Sequence, residues 1–165
     1  MPKIIDNLSQ KLKDEARKQV KEFGYSAVSI RSIAKACGIG TGTFYNYYKS
    51  KEALIFGFMY EDWSETLKEI DEAGKSGSID IILKAVWDGL ISFAGKYAEL
   101  FSSVSEYIDA VPKKYHIYLR NQLADIIALH VFDKFKSEFI AEALLVWSGE
   151  GKNYDEVYSL IKKII

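Results

Sequence analysis

The segment Ser29-Ile-Arg-Ser-Ile-Ala-Lys-Ala-Cys-Gly-Ile-Gly-Thr-Gly-Thr-Phe-Tyr-Asn-Tyr-Tyr-Lys-Ser-Lys51 reads as two short helices around a glycine turn, followed at once by the start of a third. Ser29 is placed to cap the first of them, over about residues 30–37, which buries Ile30, Ile33, Ala34 and Cys37. Gly38 permits the left-handed backbone that a tight turn requires. The second helix, over about residues 41–47, has two unlike surfaces. Phe44 and Tyr48 lie four apart and can face a core, which leaves Thr41, Thr43, Tyr45, Asn46 and Tyr47 to face something else. Ser50 caps the third helix, with Glu52 in its positive first turn.

Outward from this segment, apolar residues recur at helical spacing almost throughout and no run alternates with a period of two, so the chain is predicted to be all-α with about nine helices. Before the segment, Ile5, Leu8, Leu12, Ala16, Val20 and Phe23 form one stripe of a helix over about residues 3–23, ended by Gly24. After it, the helix begun at Ser50 extends to about Ala73, and Gly74-Lys-Ser-Gly-Ser78 reads as a hinge or short linker. Ile82, Val86, Leu90, Phe93 and Tyr97 mark a fifth helix, and a short sixth is expected over about residues 99–109, before Pro112. A long helix is then expected over about residues 113–136 and another over 138–147, the latter apolar nearly all round. Asn153 with Glu156 forms a capping-box pattern for a last helix, where Val157, Leu160, Ile161 and Ile164 make a narrow seam. The head is assigned to residues 1–50 and the body to residues 51–165.

At 165 residues, with 48% apolar and 27% charged residues, a packed core is expected. The single cysteine, Cys37, excludes an internal disulfide and fits a reducing compartment. No apolar run approaches the roughly 18 residues that a membrane span needs, and the first residues lack an apolar signal core; a cytoplasmic location is expected. The net charge of −1 conceals an asymmetry. Residues 1–52 hold ten Lys/Arg against five Asp/Glu, and residues 53–165 hold twelve against eighteen. A basic head on an acidic body suits a head that meets phosphate and a body that does not.

The polar surface of the second short helix fits the same partner. A helix that reads the DNA major groove needs small or polar residues at its N-terminal end, and Thr41, Gly42 and Thr43 meet that need. Asn46 can offer an amide to adenine, and Tyr45 and Tyr47 can reach phosphate oxygens. Lys51 can pair with a phosphate, and Arg31 with a phosphate or a guanine edge.

Taken together, Ile33-Ala34, Gly38-Ile-Gly-Thr-Gly-Thr-Phe-Tyr-Asn-Tyr-Tyr48 and Lys49-Ser-Lys-Glu-Ala-Leu54 resemble the signature of tetracycline-repressor-type (TetR family) regulators, over about residues 5–55. The resemblance implies an N-terminal three-helix helix-turn-helix DNA-binding domain, in which Ser29, Arg31, Thr41, Thr43, Tyr45, Asn46, Tyr47 and Lys51 occupy DNA-contact positions. It also implies a C-terminal helical ligand-binding and dimerisation domain whose last two helices pair with their copies. By that reading the helix over 138–147, through Leu144 and Trp147, and the seam Val157, Leu160, Ile161 and Ile164 form the dimer interface. Some body aromatics, with Trp87, Phe101, Tyr107 and Tyr118 as the candidate group, would line an apolar pocket for a small-molecule inducer. The chain departs from the pattern at Gly40, where many relatives carry a serine cap, and at Thr41, where a longer side chain is common. Its body is also shorter than in most members.

Rival chemistries find little support. Gly38-Ile-Gly40-Thr-Gly42 lacks the last glycine of a dinucleotide fingerprint and follows no strand. Gly74-Lys75-Ser76 recurs at the end of phosphate-binding loops, but residue 69 is Glu where the first glycine should stand. His116 and His130, on one predicted helix, would lie about 21 Å apart and cannot supply a metal cluster alone. No catalytic residues, metal or cofactor are therefore expected. The expected function is a homodimeric repressor of a pseudo-palindromic operator, released by a small apolar or amphipathic ligand; the alternative is a DNA-binding adaptor or structural protein without a ligand.

Overall fold

The computed structural model describes residues 7–98, 100 and 113–165. Eight α-helices form among them, with no strand: α1 Leu8–Phe23, α2 Ile30–Ala36, α3 Thr41–Tyr45, α4 Lys51–Ser76, α5 Ile79–Lys96, α6 Lys113–Ala128, α7 Lys134–Gly149 and α8 Tyr154–Ile161. A single 3₁₀ turn, Tyr25–Ala27, separates α1 from α2. The helix expected over 99–109 lies outside the described residues. No described helix is long and apolar enough to cross a membrane.

The chain divides into an N-terminal unit that reaches Asp62 and a second unit that begins at Trp63, so α4 gives residues 51–62 to the head and the remainder to the body. The head packs α1, α2, α3 and the start of α4 around Leu8, Leu12, Ala16, Val28, Ile33, Ala34, Phe44, Leu54, Ile55 and Phe58. The stripe predicted for α1 departs from this at its C-terminal end. Phe23 is exposed and Gln19, three residues after Ala16, takes the buried position instead. Lys13 pairs with Glu61, and the Arg17 guanidinium bridges Asp14 and Asp62 at 3.1 and 3.0 Å while lying over the Phe58 ring.

In the body, Trp63, Ile70, Ile82, Leu83, Val86, Trp87, Leu123, Ile127, Ile140, Leu144, Val157 and Ile161 form one apolar cluster. The buried Trp63 indole donates to Gln122 Oε1 at 2.9 Å, which satisfies its polar edge. The last helix is held on α5 by stacked rings and cations. Tyr154 packs on Trp87 and Tyr158, Lys84 lies over Tyr154, and Lys162 pairs with Asp80.

Three helix boundaries differ from expectation. The fourth helix runs through Gly74 to Ser76, with Gly74 a buried helical position beside Ile82, and the link to α5 is only Gly77-Ser78. The helix expected over 113–136 ends at Ala128, which leaves His130 outside it, and α7 starts at Lys134, ahead of the expected 138. Asp133 forces that break by accepting from the Lys136 N–H, and the buried Ser137 hydroxyl bonds the Val131 and Asp133 carbonyls. An aspartate directly before the polar turn Lys134-Phe-Lys-Ser137 was the sequence signal for it. At the far end Asn153 caps α8 as expected, accepting from the Asp155 and Glu156 N–H groups.

The short link yields a stability prediction. A methyl at Gly77 would lie 2.8 Å from the Ala73 carbonyl oxygen, whereas one at Gly95, inside α5, meets nothing within 4 Å. Gly77→Ala is expected to destabilise the chain by about 1–3 kcal/mol. Gly95→Ala should stabilise it by about 0.5–1 kcal/mol. Urea unfolding of the two variants checks the pair, and a stable Gly77→Ala would show that residues 74–78 flex as the linker first expected.

Candidate nucleic-acid interface

The head builds one helix with an anchored face and an open face. Gly38, at φ +70°, ends α2, and the Ile39 N–H returns to the Ala34 carbonyl at 2.9 Å. The chain then turns into α3, where Gly40 stands at the N-cap without a side-chain cap, as its lack of a hydroxyl dictates. Five residues of helix are too few to persist alone, so tertiary contacts must hold α3. Phe44 supplies them from a fully buried position, with the Tyr48 ring 6.1 Å away. The Tyr48 hydroxyl lies 2.8 Å from Ser9 Oγ and ties the end of this segment to α1.

On the other face Thr41, Gly42, Tyr45, Asn46 and Tyr47 are exposed, with Tyr45 at 55% and Tyr47 at 49%, and Thr43 is half-buried. Ser29 and Arg31 are exposed at the start of α2, where the Ser29 hydroxyl accepts from the Ser32 N–H and completes a reciprocal capping box. Arg31, Lys35 and Lys49 stand exposed around α2 and α3.

Lys51 is placed differently from the phosphate contact expected of it. Its ammonium donates to the Tyr25 and Val28 carbonyls at 3.1 and 3.0 Å and sits 3.9 Å from the Tyr25 ring centre. The Tyr25 hydroxyl in turn donates to Glu52 at 2.9 Å. Burial and that bond push the Tyr25 phenol up to about 12, so it remains a donor across any working pH. Burial alone would raise Glu52 too, but its own backbone N–H, Ser50 and Tyr25 outweigh it and hold the carboxyl below its usual range. Lys51 and Glu52 therefore clasp the turn between α1 and α2. With Lys13 and Arg17 also committed within the head, the cations that can meet phosphate are fewer than the charge count suggested.

The candidate ligand group does not assemble among the described residues. Trp87 is buried and packed on Tyr154, Tyr118 is exposed, and Phe101 and Tyr107 lie outside the described residues. The candidate interface residues also divide. Leu144, Val157 and Ile161 are buried in the body's own cluster, Trp147 and Ile164 are half-buried, and Leu160 is 48% exposed. Sequence reasoning missed the apolar face beside them. Phe132, Phe135 and Phe139 are exposed at 95%, 77% and 46%, and the last two share a stripe of α7 with Glu142 and half-buried Val146. Glu142 accepts from or pairs with His116 at 2.8 Å. The Lys136 ammonium donates to the Ile164 carbonyl at 2.7 Å, which sets the start of α7 beside the end of α8. Phenylalanines repeating at helical spacing before and inside a predicted interface helix were the signal available.

Residues 12–57 match the profile of a family described as bacterial regulatory proteins, tetR family. The chain is 37% identical over 57 residues to the HTH-type transcriptional regulator UidR of Escherichia coli K12, a match covering 34% of this chain and 29% of UidR. It is 28% identical over 89 residues to the HTH-type transcriptional repressor Rv1474c of Mycobacterium tuberculosis, covering 52% of this chain and 48% of that one. These matches thus span less than half of either relative's length. Among solved structures, FadR of Thermus thermophilus, a TetR-family repressor solved with lauroyl-CoA, superposes with a TM-score of 0.68 over 94% of this chain and 92% of its own, at 16% identity. That likeness is one of fold.

Proposed function

We propose that the chain is, through its head, a member of the tetR family of bacterial regulatory proteins, whose profile its residues 12–57 match, and that it is a transcriptional repressor that binds a pseudo-palindromic operator as a homodimer. The observation that carries this reading is the division of α3: one wholly buried phenylalanine anchors it, and Thr41, Gly42, Tyr45, Asn46 and Tyr47 are exposed on the rest. Thr41, Gly42 and half-buried Thr43 enter the major groove, Asn46 reads a base edge, and Tyr45, Tyr47, Ser29 and Arg31 hold backbone phosphates. Two copies read half-sites about one helical turn apart or slightly more.

Selection from random duplex DNA, followed by affinity and salt titrations, tests the reading. Asn46→Ala is expected to cost about 1–3 kcal/mol and relax preference at one position of each half-site, and Arg31→Ala to lower the salt slope by about one per head. An unaltered sequence preference removes Asn46 from the reading set; no enriched duplex at all rejects the function.

The second copy docks through the outer face of the last two helices: Phe135, Phe139 and Val146 of α7 with Leu160 of α8 and Ile164 just beyond its end. The exposure of the phenylalanines supports this choice, and pairing two helices with their copies gives a four-helix interface. The body further binds a small apolar or amphipathic ligand that releases the operator, the two affinities being reciprocally coupled. The acyl-CoA bound by the fold neighbour FadR makes lauroyl-CoA the first probe. The burial of Trp87 against Tyr154 favours the alternative of an adaptor without a ligand. Native mass spectrometry of the purified protein separates them, since a retained small molecule excludes the adaptor.

A further inference from the structure

The buried position that Gln19 takes in α1 is unexpected for an amide. It continues the stripe of Leu8, Leu12 and Ala16, and its side chain is 8% exposed. Both ends of the amide are satisfied. Nε2 donates to Glu15 Oε1 at 2.7 Å, and Oε1 accepts from the Ser32 hydroxyl at 2.7 Å. Ser32 Oγ is also 2.8 Å from the Ser29 carbonyl and accepts from the Ser29 N–H at 3.1 Å. A hydroxyl has one proton to give, and the Ser29 carbonyl already accepts the Ile33 N–H at 3.1 Å. The shorter contact of the Ser32 hydroxyl is to Gln19 Oε1, and with the proton placed there a chain of hydrogen bonds runs from Glu15 on α1 to the cap of α2.

We propose that Gln19 is a positioning residue: through Ser32 it sets the N-terminal end of α2, where Ser29 and Arg31 stand exposed, at a fixed place on α1. Stability alone gives no reason for the amide, because apolar groups of similar shape replace a buried hydrogen-bonded pair at little or no cost. An apolar contact tolerates sliding along the groove, whereas a hydrogen bond restricts distance and direction. The pair therefore specifies where α2 begins. This inference rests on the DNA-binding reading of the head.

A double-mutant cycle in the full chain tests it, with the selected operator as ligand and urea unfolding as control. Gln19→Leu is expected to stay folded, with the earlier urea midpoint of a chain whose Ser32 and Glu15 have lost a partner, and to lose operator affinity about tenfold, the worth of one phosphate or base contact. Ser32→Ala should lose the same, the double variant no more than either single one, and Ser32→Thr, which keeps the hydroxyl, should stay near the parent. If Gln19→Leu does not fold, the Ser32→Ala and Ser32→Thr contrast carries the test. Undiminished affinity in Ser32→Ala or in folded Gln19→Leu, losses that track stability, or additive losses would overturn the proposal alone. A parent chain that enriches no duplex overturns the DNA-binding reading and this inference with it.

Discussion

Changing Phe135 and Phe139 together to glutamate is expected to convert a dimer into monomers and to abolish operator binding at concentrations where the parent chain is saturated. Both side chains are exposed on one stripe of α7, so the monomer should unfold at an almost unchanged urea midpoint. In the proposed dimer each phenylalanine that leaves water contributes about 1.5–3 kcal/mol. Each buried unpaired carboxylate put in its place costs several kcal/mol more. Even a net loss of about 4 kcal/mol raises the dimer Kd roughly a thousandfold. The DNA effect follows because a second head then no longer binds at the high effective concentration that its tethered partner provides. Sedimentation velocity across a dilution series reads the first effect and an operator titration the second. A monomeric parent, or a double variant that stays dimeric, rejects this face as the interface.

Phe44→Ala should be the most damaging single change in the head, at about 3–5 kcal/mol. Phe44 is fully buried, contacts the Tyr45 ring edge-on at 5.7 Å and the Tyr48 ring at 6.1 Å, and anchors a helix of five residues. That helix has no side-chain cap, and Gly42 within it adds backbone entropy to be lost. The residual cavity therefore removes the anchor from an element that cannot hold itself. Hydrogen exchange should show protection lost across residues 39–48 before the body opens, and operator binding should go with it. A cost below about 1 kcal/mol, well outside the range for a buried phenylalanine, would mean that α3 is held by something other than this side chain.

The helix-turn-helix was readable because its signals are local. Gly38 needs a left-handed backbone, Ser29 and Ser50 supply cap oxygens, and the spacing of Phe44 and Tyr48 sets the inward face. What escaped depends on partners distant in sequence. Gln19 looks like a surface residue until Ser32 meets it, and Gly74 looks like a linker until Ile82 packs on it. Lys51 looks like a surface cation until the carbonyls of Tyr25 and Val28 accept two of its three protons. The seam Val157, Leu160, Ile161 and Ile164 shows the limit of pattern reading in another form. An apolar stripe records that something covers it, but Val157 and Ile161 are covered by their own chain while Leu160 is left open. Periodicity has no means of telling the two apart.

The division of labour on α3 bears on how such a protein can change over generations. Phe44 and Tyr48 fasten the helix, and the exposed positions 41, 42, 45, 46 and 47 are not needed for that task. Mutations at those positions escape the stability threshold that removes most core variants. Target preference can then drift, or be redirected by a combinatorial library, while the scaffold stays folded. On the proposed function, a new regulator is then a few surface substitutions away from an old one.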